Sequence, residues 1–126
     1  MKDITQQEDI QYLVETFYNK ALADKVIGPV FAAAQFSLEQ HIPVMVRFWE
    51  TILLDVVSYK GNPMLKHIAM NKTIPLKPEH FESWLNIWKD TVNSKFSGLC
   101  AQQAVNRAEG IARLMQYKIE QSSQQH

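Results

Sequence analysis

With Cys100 its sole cysteine, the chain has no internal disulfide and no Cys-x-x-Cys pair for metal or redox work. Glycine is also sparse: Gly28, Gly61, Gly98 and Gly110 stand apart, so there is no glycine-rich loop to cradle a phosphate, and nucleotide binding loses its usual signature. Charge of either sign is not in excess. Lys+Arg and Asp+Glu number 13 each, which gives no long-range field to hold nucleic acid or an anionic membrane, and neither is an expected partner. The apolar runs are short; Ile52-Leu53-Leu54-Asp55-Val56-Val57 breaks well before the roughly 18 residues a membrane span needs. Met1-Lys2-Asp3-Ile4-Thr5-Gln6-Gln7 lacks the apolar run of a signal peptide, so a soluble, cytoplasmic protein is expected. His-Glu-x-x-His and Glu-x-x-His are both missing, which weighs against zinc hydrolase and di-iron chemistry.

What remains is a chain of 126 residues, 46% of them hydrophobic, enough for one core and hence one domain over 1–126, with a polar tail near 121–126 expected to fray. Its apolar residues recur at helical spacing and nowhere alternate, so the fold class is all-α. Ile10, Leu13, Val14, Phe17, Tyr18, Ala21 and Leu22 mark a first helix from about Thr5 to a stop near Gly28-Pro29. Ser37 and Gln40 resemble a capping box ahead of a second, carrying Met45, Phe48, Trp49, Ile52, Leu53 and Val56. Pro43 implies that this helix begins near Ile42 or bends beside His41. Gly61, Pro63 and Pro75 break up the stretch from Ser58 to Leu76, within which Met64 to Met70 has room for one or two turns. Pro78 suits the first turn of a third helix bearing Phe81, Trp84, Leu85, Trp88 and Val92. A fourth follows Ser97-Gly98 with Leu99, Ala104, Val105, Ala108, Ile111, Ala112, Met115 and Ile119, and Gly110 within it reads as a point of close helix approach.

Several side chains are candidates for chemistry. His67, on the Gly/Pro-broken segment and followed by the helix of Trp84 and Trp88, suits an axial ligand of haem iron. Tyr18 projects from the apolar face of the first helix, so its hydroxyl needs a partner, which is a bound ligand, another side chain or, more plainly, a backbone carbonyl. The Trp84 indole is donor-only and poses the same question, whereas Trp49 and Trp88 read as core. His41 sits where a side chain swings between pocket and solvent, although a merely exposed histidine fits that place as well. His80 and His126 do not look like ligands, and nothing near Cys100 in sequence makes it reactive.

Taken in order, Phe17-Tyr18, Gly28-Pro29-Val30-Phe31, His41, Phe48-Trp49, Tyr59-Lys60-Gly61-Asn62-Pro63, His67 and His80-Phe81-Glu82-Ser83-Trp84-Leu85 closely resemble the group III truncated haemoglobins, from about Ile10 to Met115. The absence of Gly-Gly hinges fits that subgroup. The resemblance implies a shortened globin, a two-over-two helical sandwich around haem b (iron protoporphyrin IX). It makes His67 the proximal iron ligand, Tyr18 and Trp84 the distal donors, His41 a gate, and Phe31 a residue packing on the haem. Phe17, Phe31, Met45 and Phe48 would line a dry pocket, and Arg47, Lys60 and Lys66 are the cations available by location for the haem propionates.

Donors from Tyr18 and Trp84 to bound oxygen would each contribute roughly 1.5 to 3 kcal/mol, equivalent to more than tenfold slower release. Retention of that kind suits redox or detoxification chemistry on oxygen, peroxide or nitric oxide, peroxidase-like or nitric oxide dioxygenase-like, rather than oxygen delivery. Expected partners are diatomic gases (oxygen, nitric oxide, carbon monoxide) and a reductase not yet identified, with the protein a monomer or weak dimer. The competing expectation from another class is a haem-free helical interaction or sensor domain in which Tyr18, Trp84 and His67 only pack.

Overall fold

The computed structural model describes residues 1–34, 37–54 and 76–124. Five helices account for most of them: α1 Gln7–Ala23, α2 Gly28–Ala34, α3 Leu38–Leu54, α4 Pro78–Lys95 and α5 Leu99–Gln124. Val56, the expected turns over Met64 to Met70, and Lys60, Lys66 and His67 lie outside the described residues.

Four of the helices begin where a side chain satisfies free backbone donors or a proline needs none. Asp9 turns its carboxylate back to the backbone N–H groups of Thr5 and Gln6, at 3.0 and 3.3 Å, and α1 starts two residues later than expected. Ser37 Oγ accepts from Gln40 N at 3.4 Å, so α3 starts at Leu38, earlier than the start near Ile42 that the proline suggested, and Pro43 lies inside it. Pro78 is the first residue of α4, and Lys77 N donates to His80 Nδ1 at 2.9 Å. The cap of α5 comes from the far end of the chain: Asp3 accepts from Cys100 N and Ala101 N at 3.0 and 2.8 Å. Gly98 allows this approach. It has φ +133°, and a Cβ there would stand 2.6 Å from the Asp3 carboxyl carbon.

The helices pair antiparallel. Along α1 and α3, Tyr18 meets His41 while Gln7 and Gln11 share a groove with Arg47 and Glu50. Along α4 and α5, Trp88 Nε1 donates to Ala104 O at 3.2 Å, Lys89 pairs with Glu109, and Phe81 packs with Met115. The two pairs are joined through a core in which Ile10, Leu13, Val14, Phe17 and Ala21 of α1 meet Trp49, Trp88, Val92 and Phe96. Trp49 and Trp88 stack at 4.6 Å and 19°, as core residues.

Three expectations are corrected. The close approach on α5 is made by the buried Ala101, Ala104, Ala108 and Ala112, whose lack of bulk lets the Trp88 indole reach a backbone carbonyl; a Cβ at Gly110 would touch nothing. Leu22 and Leu99, counted in apolar stripes, are 41% and 86% exposed. The Gly28-Pro29 pair starts a short helix, α2, instead of closing a long one. Among the described residues, no helix is long and apolar enough to cross a membrane.

Candidate functional site

Burial selects Tyr18. Its ring is 5% exposed between Phe17 and Phe31, with edge-on contacts at centroid distances of 5.0 and 5.7 Å. The hydroxyl is tied to His41 Nε2 at 2.6 Å, with the two rings 82° apart. The apolar stripe demands a partner for this hydroxyl, and the partner is another candidate residue, 23 positions away on the facing helix. Desolvation pushes the phenol pKa well above its ordinary value, so Tyr18 keeps its proton.

Trp84 reaches the same place from α4. Its indole meets Phe17 edge-on at 6.1 Å and forms part of the wall of two cavities. The outer one is lined by Ile27, Val30, Phe31, Leu76, His80, Phe81, Trp84 and Met115. The inner one is lined by Val14, Phe17, Tyr18, Met45, Trp49, Trp84 and Trp88. Trp88 gives its N–H to Ala104, but among the described residues the Trp84 N–H has no acceptor.

Tyr18, His41, Trp84, Phe17, Phe31 and Met45 are therefore brought together. Phe48 packs on Trp49 at 5.4 Å and lines neither of these two cavities. Arg47 stands in the groove with Gln7, Gln11 and Glu50 on the α1 side of α3, apart from the cavities. His80, which does not look like a ligand in sequence, does line the outer cavity; its place in the first turn of a helix with Phe81 and Trp84 on the inward face is the available signal.

No family model matches the chain. A group 3 truncated haemoglobin of Campylobacter jejuni is 31% identical over 110 residues, covering 84% of each chain. The crystal structure of the group III truncated haemoglobin from Campylobacter jejuni superposes with a TM-score of 0.81 at 32% identity, covering 94% of this chain and 95% of that one. The chain belongs to the group III truncated haemoglobins. Its paired helices are the sandwich of that globin family, and as a truncated haemoglobin it is a haem-binding protein for gas ligands. The haem-free interaction domain gives way to this. The residues present fit the group: apolar cavities walled by aromatic rings, with polar atoms from Tyr18, Trp84 and His80 and with His41 bonded to the Tyr18 hydroxyl.

Proposed function

We propose that this truncated haemoglobin carries haem b through His67 and retains oxygen, or another diatomic gas, with Tyr18 and Trp84 for redox or detoxification chemistry. Haem, when bound, would supply an iron able to hold a diatomic gas and lend it negative character. The observation that carries the reading is that the buried Tyr18, bonded to His41, and Trp84 line the same inner apolar cavity.

Tyr18 has a single proton to give. A gas ligand that accepts it leaves the phenol oxygen as an acceptor only, and His41 then has to present Nε2–H or leave. The position of His41 would thus be coupled to the ligand, as a gate requires. Trp84 has no such competition, since its N–H is engaged by nothing among the described residues. Tyr18 is buried among Phe17, Phe31 and Met45, and its exclusion from water makes that donor stronger. Arg47, Lys60 and Lys66 are the proposed propionate cations, Arg47 standing in the groove with Gln7, Gln11 and Glu50. A cytoplasmic location and an electron-donating reductase belong to the same reading.

Stopped-flow oxygen dissociation tests it. Each of Tyr18→Phe and Trp84→Phe removes a hydrogen bond to a charged acceptor worth roughly 1.5 to 3 kcal/mol, so release should quicken more than tenfold in each. Unchanged rates in both variants would defeat the reading.

A further inference from the structure

The outer cavity has two opposing walls that belong to different helix pairs. Ile27 comes from the corner between α1 and α2, Val30 and Phe31 from α2 itself, and His80, Phe81 and Trp84 from α4. One carboxylate spans them. Asp24 Oδ2 accepts from Val26 N at 2.9 Å and Ile27 N at 3.0 Å on the corner, and from Ser83 Oγ at 2.8 Å on α4. Ser83 is the residue before Trp84. The corner is itself tight: Gly28 N donates to Asp24 O at 3.0 Å, and a Cβ on Gly28 would stand 2.7 Å from Leu22 O. A displacement of Asp24 is therefore passed on to Val30 and Phe31 and is not absorbed in the turn.

We infer that Asp24 and Ser83 form a latch that fixes the spacing between Phe31 and Trp84 across the ligand cavity, and so are positioning residues for haem and its gas ligand. The inference rests on the haem reading above. Neither side chain lines the cavity, so each acts through the neighbours it holds in place. Asp24 is also the local acceptor for two backbone donors, which makes its loss costly to the corner alone, whereas Ser83 has no bond to the corner except this one. Ser83→Ala is therefore the selective variant.

The test uses the haem-loaded protein, reading the C–O stretching band of the ferrous carbon monoxide complex and the rate of haem transfer to excess apomyoglobin. The latch predicts that Ser83→Ala broadens and shifts the C–O band and speeds haem loss on the order of tenfold. Ser83→Thr, which keeps the hydroxyl, restores both. Adding Ser83→Ala to Asp24→Ala should do no further harm, because one shared bond is lost only once. A C–O band and haem-loss rate in Ser83→Ala equal to wild type overturn the latch, even if the melting temperature falls. Strictly additive effects in the double variant overturn it too. A wild-type protein with no Soret band after haem addition overturns the haem reading and the latch together.

Discussion

Tyr18 sits on an apolar stripe, and that position alone forces the question of where its hydroxyl bonds. The answer, His41 Nε2 at 2.6 Å, depends on α1 and α3 running antiparallel, which periodicity alone does not set. Trp84 and Trp88 are separable in sequence only in part. Both lie on the apolar face of α4, and what distinguishes them is that the alanine stripe of α5 opens a carbonyl to Trp88 and none to Trp84. At this scale His41 makes a clear prediction. His41→Ala removes the side chain that holds the Tyr18 hydroxyl and is the proposed gate, so carbon monoxide association measured after flash photolysis should accelerate several-fold. An unaltered rate removes the gate.

At the scale of elements, apolar periodicity locates α1, α3, α4 and α5 because each buries one stripe, and Ser37 and Pro78 mark two of the starts. It misses α2. Seven residues are too few to show a period, and Gly28-Pro29 reads as a stop although proline in the first turn is equally a start signal. Caps supplied from a distance are also invisible in sequence, since nothing local links Asp3 to Cys100 or Asp24 to Ser83. These caps have a pH signature. Burial raises the Asp3 pKa, but the backbone donors of Cys100, Ala101 and Ile4 outweigh it and hold the carboxyl below its ordinary value. Asp24 is lowered by the Ile27 backbone N–H and the Ser83 hydroxyl against a smaller desolvation effect. A group depressed on folding contributes stability that is present above its unfolded pKa and lost as pH falls through the folded one. The melting temperature should therefore drop as pH decreases below about 4, and Asp3→Asn should flatten that drop; an equal slope in the variant would contradict the assignment. Gly98→Ala should destabilise at every pH by roughly 1 to 3 kcal/mol in denaturant melts, because φ +133° and the Asp3 contact both oppose a Cβ.

For the whole molecule, two antiparallel helix pairs meet across an aromatic core and leave an apolar cleft between Phe31 and Trp84. A group that binds there only in the native state adds to stability with the logarithm of its saturation. The protein freed of haem should accordingly melt lower than the haem-loaded form, and equal melting temperatures would show that haem is not part of the folded core. The fold class and the family are legible from aromatic and histidine residues in their order, whereas the distances that turn those residues into a site come from the packing of helices far apart in sequence. The central claim is the bond from His67 to haem iron, and the visible absorption spectrum of wild type and His67→Ala, each supplied with equimolar haem, tests it most directly. A Soret band that is strong in wild type, weak in the variant and restored by free imidazole is the predicted result. A variant spectrum identical to wild type in the ferric, ferrous and carbon monoxide states would contradict it.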